Sequence, residues 1–408
     1  MIGEIIAIGN ELTSGRTVNT TSALAARALF LLGHEIPAVH VVGDSPDLIG
    51  ATLTAAVARC DFVIVTGGLG ATSDDVTNEA VIKALGIDGM VHPMVHAKIA
   101  SRRQDSAAAS LAKLAWLPEG AEILDPECRM AGYLLRHQGK PIWFLPGVPP
   151  QMEILLRTKV LPGLQAIDSA RTMPVCQTVY RTCGLLEIEI NQRLRPLEEQ
   201  GFALGYYPVG SEVHVSLAAG QPGGKADNPG LQAADAFVRD ALGNNIYGMG
   251  DETLAEVTGT LLRQHGLMLG VAESCTGGLI GATLTETPGS SRWFKGGVIA
   301  YANEIKERIL GLDPALLVRH GAVSGETARA MANGLLHRLG CDIAVAATGI
   351  AGPDGGSQDK QVGTVYLGLA TRSAVTDRLC RFTGVRRQIQ EKTAQTAVDM
   401  VRRALLAR

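Results

Sequence analysis

The stretch LMLGVAESCTGG, Leu267 to Gly278, decides the class of fold. Its apolar opening reads as a buried strand that breaks directly into a Gly-rich turn, with a helix beginning near Leu279. A second unit repeats the logic: IAVAATG (Ile343 to Gly349) is a strand buried on both faces, and it enters the turn TGIAGPDGGS (Thr348 to Ser357). Glycine lets backbone N–H groups approach a ligand closely, so such clustering marks a binding surface.

Outward from these turns the βα alternation continues. A helix over Thr253 to His265 precedes the first strand, and VGTVYLGLA (Val362 to Ala370) is a further strand. Ser324 is a candidate N-cap with Glu326 in the first turn, and Met331, Leu335 and Leu339 continue the helical stripe. The front of the chain alternates similarly. IGEIIAIG (Ile2 to Gly9), IPAVHVVGD (Ile36 to Asp44), DFVIVTGG (Asp61 to Gly68) and IWFLPG (Ile142 to Gly147) are strands. Helices over Thr20 to Leu32 and Leu48 to Cys60 separate them. Between these regions, TVYRTCG and EVHVSLAAG flank a helix (Leu186 to Leu197), and the turn GQPGGKADNPG precedes another. The expectation is an α/β protein of two three-layer αβα domains with mostly parallel sheets, joined by a small α+β linking domain. The boundaries fall at 1–170, 171–250 and 251–408.

Composition bounds the function. A chain of 408 residues needs two or three cores. Apolar residues make up 46% and charged residues 19%, which belongs to globular proteins and not to disordered ones. With 37 Lys+Arg against 40 Asp+Glu, and no basic run, nucleic acid is not an expected partner. No apolar run reaches the roughly 20 residues that a membrane span needs. MIGEIIAIGNEL lacks the basic and long apolar regions of a signal peptide. The seven cysteines are scattered without a CxxC, so neither a zinc ribbon nor a disulfide framework is indicated. The expected setting is a reducing cytoplasm.

Between the two Gly-rich turns, SSRWFKGGVIAYANEIK (Ser290 to Lys306) offers Ser291, Tyr301 and Lys306 on one segment. These are residue types that can supply a nucleophile and its base, provided that burial lowers the lysine pKa. Arg386 could hold a substrate phosphate or carboxylate. AESCTGG is not a P-loop, but with a helix following it could offer N–H groups to a phosphate. Cys275 has no neighbouring histidine to activate it, and His265 and His320 sit at helix ends. Spacing alone reads as a nucleotide-binding hydrolase or transferase.

Five blocks in order, AESCTGG, PGSSRWFKGGVIAYANEIK, HGAVS, TGIAGPDGGS and VGTVY, resemble the CinA C-terminal family over 251–408. The resemblance implies hydrolysis of the carboxamide of nicotinamide mononucleotide, without a metal or other cofactor. Carried over residue by residue, it makes Ser291 the nucleophile, with Tyr301, Lys306 and Arg386 completing the catalytic set. It assigns substrate binding to Glu273, Ser274, Cys275, Thr276, Gly277, Gly278, Thr348, Gly349 and Ile350. A homodimer is expected from the same resemblance.

In the front domain, GGLGATSDDVT (Gly67 to Thr77) pairs a Gly-rich turn with Asp74 and Asp75. With Glu11 and Asp44 from other strand ends these could form an oxygen-rich Mg²⁺ site; the competing reading is a polar helix start. His92 and His96 lack a third ligand for zinc. GNEL, VVGD, GGLGxTxDD and the PGVP turn are similar to the MoaB/MogA-like molybdopterin-binding domain at the front of CinA proteins. That resemblance implies a metal-dependent hydrolysis of ADP-ribose. The chain departs from the pattern at Thr21, Ala71, Leu114, Arg129 to Tyr133 (RMAGY) and Gln151. An amide at Gln151 supplies no charge to a metal, so weak or lost pyrophosphatase activity is expected. The alternatives to the amidase are therefore that pyrophosphatase as the main activity, or a non-catalytic, competence-associated nucleotide-binding protein.

Overall fold

The computed structural model describes residues 1–102, 108–167, 175, 177–218 and 229–407. The chain divides into two compact units, one over the described residues of 1–177 and the other over 178–218 and 229–407. The turn GQPGGKADNPG falls almost wholly outside the described residues.

The first unit holds the strands β1 (Ile2–Ile8), β2 (Glu35–Val42), β3 (Phe62–Thr66), β4 (Gly89–Val91), β5 (Trp116–Pro118), β6 (Glu122–Ile123), β7 (Tyr133–His137) and β8 (Lys140–Leu145). Six of them form one sheet in the order β2-β1-β3-β8-β7-β6, and β4 pairs with β5 as a separate ribbon. β1 runs parallel to β2 and β3, and β3 runs parallel to β8. Alternate residues of β1 and β3 face opposite layers. Ile6, Ile8, Val63 and Val65 pack with Ile49, Leu53 and Val81, while Ile5, Phe62 and Ile64 pack with Leu29, Met152 and Leu155.

The second unit begins with a sheet of β9 (Gln177–Cys183), β10 (Ala203–Val209), β11 (Glu212–Ala218) and β12 (Ile246–Met249), in the order β10-β11-β9-β12. It has its own core, where Tyr180, Val215 and Leu217 meet Ile190, Leu194 and Val238. The sequence reading omits β10, because Gly205 and Pro208 interrupt its pattern.

The remaining strands are β13 (Leu269–Glu273), β14 (Phe294–Ile299), β15 (Ile343–Gly349), β16 (Thr364–Thr371) and β17 (Val375–Arg381), in the order β14-β13-β15-β16-β17. Thr253 caps the helix Leu254–Gln264 in a reciprocal capping box with Glu256, and Ser324 caps Gly325–Leu339 through the Thr327 N–H. One face of the sheet packs Val271, Ile343, Val345 and Val365 against Leu262, Ile280, Val398 and Val401. The other sets Ala272, Ala344, Ala346 and Ala370 against Met331, Ala332 and Leu335. Small residues on this face let a helix come close: a Cβ on Gly368 would lie 2.1 Å from the Ala328 carbonyl oxygen.

One expectation is corrected here. The β13–β14 and β13–β15 pairings are parallel, but β15–β16 and β16–β17 are antiparallel, so this sheet is mixed and not mostly parallel. A parallel neighbour requires a crossover, usually a helix. The chain has none between β15 and β16, only the Gly-rich turn.

Candidate active site

Three parallel strands, β14, β13 and β15, end on the same edge of the sheet, and the residues after them converge there. Ser274 follows β13, Tyr301 follows β14 and Ile350 follows β15. A cavity of about 270 Å³ opens at this edge, lined by Ser274, Tyr301, Asn303, Lys306, Thr348 and Arg386 among others.

Lys306 is the centre of the arrangement. It lies on the short helix Asn303–Arg308 and is 1% exposed. Its Nζ donates to Ser274 Oγ at 3.3 Å and to the Tyr301 carbonyl at 2.9 Å. Burial penalises the ammonium form and pushes the Lys306 pKa below its ordinary value. A buried amine with a lowered pKa thus stands against a serine hydroxyl, an arrangement that a base beside its nucleophile requires.

Arg386 begins the helix Arg386–Leu406. Its Nη1 donates to the Gly352 carbonyl at 2.8 Å and its Nη2 to the Tyr301 hydroxyl at 3.2 Å, tying the second Gly-rich turn to the tyrosine. Guanidinium carries five N–H donors, so three remain for a substrate anion. Thr348, Gly349 and Ile350 line the cavity as expected, with the Thr348 hydroxyl donating to the Ala322 carbonyl at 2.6 Å.

Ser291 is not part of this site. It is exposed on the 3₁₀ turn Ser290–Arg292, at the amino end of β14, and does not line the cavity. Tyr301 and Lys306 lie beyond the other end. Six strand residues intervene. At roughly 3.3 Å per residue they hold Ser291 about 20 Å away. The expected grouping of Ser291 with Tyr301 and Lys306 is therefore corrected: Ser274, expected only to bind substrate, is the hydroxyl against Lys306.

The first Gly-rich turn is corrected too. Its helix N-terminus is not open to a phosphate, because the Glu273 carboxylate, 1% exposed, fills it. Glu273 Oε2 accepts from the Gly278 and Ile280 N–H groups at 3.0 Å each, and Oε1 accepts from Gly281 at 2.8 Å. Glu273, Thr276, Gly277 and Gly278 do not line the cavity; they shape the turn that presents Ser274. Cys275 does line it, but its thiol is buried and pushed up to about 12, chiefly by desolvation, which removes it as a nucleophile. Glu273→Ala should cost about 3 kcal/mol of stability by denaturant unfolding, since it strips three N–H groups of a charged partner.

Sequence reasoning missed Asn303, Val323 and Asp354, which also line the cavity. Asn303 was within reach, because it stands between Tyr301 and Lys306 in the YANEIK block.

In the first unit the expected metal ligands do not assemble. Asp44 Oδ2 accepts the Asn10 N–H at 2.8 Å, and Asn10 Oδ1 accepts the Asp44 N–H at 3.1 Å. Asp75 Oδ2 accepts from the Thr72 N–H at 2.9 Å and from its hydroxyl at 2.5 Å. Asp74 is fully exposed, its pKa lowered chiefly by a hydrogen bond with Thr72. Glu11 folds back over Gly9. Among the described residues no three His, Cys, Asp or Glu side chains are grouped to hold a metal ion. The residues present do not fit the divalent cation: these carboxylates organise their own turns.

Fold and site define a multidomain α/β protein with a buried Ser–Lys pair at a sheet edge. The chain belongs to the CinA family. It matches the CinA C-terminal domain over 251–405, the Damage-inducible protein CinA KH domain over 177–248 and a Probable molybdopterin binding domain over 4–166. A CinA-like protein of Desulfotalea psychrophila is 45% identical over 408 residues, covering 99% of this chain and 98% of its own. A putative competence-damage inducible protein of Moorella thermoacetica is 37% identical, covering 100% and 99%. Among solved structures, the competence/damage inducible protein CihA from Agrobacterium tumefaciens is 43% identical, covering 38% of this chain and 93% of that one, with a TM-score of 0.37.

Proposed function

We propose that the site hydrolyses the carboxamide of nicotinamide mononucleotide to nicotinic acid mononucleotide and ammonia. The observation that carries this reading is the contact between Lys306 Nζ and Ser274 Oγ inside the cavity. The neutral Lys306 amine takes the Ser274 proton as Oγ attacks the carboxamide carbon. The resulting ammonium returns that proton to the departing nitrogen, the C–N bond breaks and ammonia leaves. Water, deprotonated by the same amine, then cleaves the ester and restores Ser274. The Tyr301 carbonyl orients the amine, and Arg386 offers its remaining donors to the nucleotide phosphate.

No protein group in this scheme needs a metal. Ammonia release from the mononucleotide should therefore be unchanged by a chelator, as measured in a coupled assay on the full chain. Ammonia release that disappears with chelator and returns with Mg²⁺ would refute the serine mechanism.

A further inference from the structure

We propose that the first unit binds a neutral, largely apolar small molecule in a cavity of its own, separate from the carboxylates Glu11, Asp44, Asp74 and Asp75. The cavity measures about 430 Å³, within the range of small-molecule sites. Aliphatic side chains make most of its wall: Val95 and Ile99 from the helix Pro93–Arg102, Leu114 from Ala108–Ala115, Leu117 from β5, Ile123 from β6, and Leu69. No carboxylate lines it among the described residues. Among the described residues the one cation that lines it, Arg129, is mostly exposed and lies 3.8 Å from Asp125. A phosphate placed inside would be desolvated without an enclosed counter-charge, and a bound metal would find no anionic ligand.

One wall is preformed. The buried Asp125 carboxylate accepts the N–H groups of Glu127, Arg129 and Met130 at 3.2, 2.8 and 3.2 Å. This holds Cys128 at a φ of 50°, a conformation that persists only where surroundings enforce it. Asn78 is an enclosed polar group of the wall. Asn78 Oδ1 accepts the Tyr133 hydroxyl at 2.9 Å, and its Nδ2 donates to the Trp116 carbonyl at 3.1 Å. One amide N–H and one oxygen lone pair of Asn78 are left for a ligand. The occupant is thus an uncharged molecule with an apolar body that hydrogen-bonds to Asn78. Leu114, Arg129 and Met130, all at positions where the chain departs from the family pattern, line this cavity.

The test uses the full chain with 2-naphthol as probe, and reads alkylation of Cys128, which lines the cavity, by N-ethylmaleimide and peptide mass mapping. At several times its dissociation constant the probe should slow Cys128 alkylation at least about five-fold. Magnesium pyrophosphate and ADP-ribose with Mg²⁺ should leave the rate unchanged. Leu114→Glu, which puts a charge in the cavity, and Ile99→Trp, which fills it, should each abolish the protection. The far-UV circular dichroism and thermal unfolding of the full chain should be unaltered in both, reporting that the first unit remains folded. No protection of the unmodified protein, equal protection in the two variants, or protection by magnesium pyrophosphate would overturn the proposal.

Discussion

Ser274→Ala should reduce ammonia release from nicotinamide mononucleotide by roughly 10⁴-fold or more, while Ser291→Ala retains activity close to that of the unmodified chain. The contrast rests on position, since both residues are serines near a glycine turn. Ser274 Oγ is 3.3 Å from the Lys306 amine. Ser291 sits exposed at the far end of β14. Removing the Ser274 hydroxyl deletes the atom that would form the acyl-enzyme, and the alanine leaves the buried turn undisturbed because Glu273 holds it independently. Single-turnover measurement with both variants separates the two assignments. Loss of activity in Ser291→Ala with retention in Ser274→Ala would reverse them.

Lys306→Met should lower kcat by roughly 10³-fold with a smaller change in KM, as expected when a proton-transfer group is lost. Lys306→Arg should be equally inactive although it keeps the positive charge, because guanidinium does not deprotonate in proteins. The pH dependence follows from the direction of the lysine shift. Burial disfavours the ammonium, so its pKa lies below the ordinary lysine value. In the proposed mechanism the neutral amine is the base, so kcat/KM should rise as pH rises through that lowered pKa and then level off. The measurement is the initial rate of ammonia release between about pH 6 and pH 10. A profile that falls across that range would require the charged form and exclude Lys306 as the base.

Weak or lost pyrophosphatase activity is expected from the departures at Thr21, Ala71, Leu114, Arg129 to Tyr133 and, above all, Gln151. The structure adds that Asp44 and Asp75 accept hydrogen bonds from Asn10 and Thr72. Neither engagement is visible in the spacing of the residues, because one joins positions 34 apart and the other depends on the exact turn. Likewise β17 and β14 escaped the sequence reading. β14 carries Gly296 and Gly297, which weaken a strand pattern, and β17 is an exposed edge strand of mostly polar residues.

The sequence by itself determined the α/β class, the positions of about half the strands, the Ser324 cap, and several segments that line the candidate site. Those depend on short-range rules: alternation of apolar runs, Gly-terminated turns, and hydroxyl residues at helix starts. Resemblance to the CinA C-terminal family grouped Lys306, Tyr301, Arg386 and Thr348, and all four line one cavity. Only the tertiary structure decided which serine meets Lys306. Residues 291 and 306 are close along the chain but separated by a fully extended strand, whereas residues 274 and 306 are far apart along it. They become neighbours because β13 and β14 pair in parallel and end on one edge. The same packing turned Glu273 inward to occupy the helix start that a free phosphate would have taken. Sequence distance measures contour length, and catalysis depends on which ends of paired strands face the same opening.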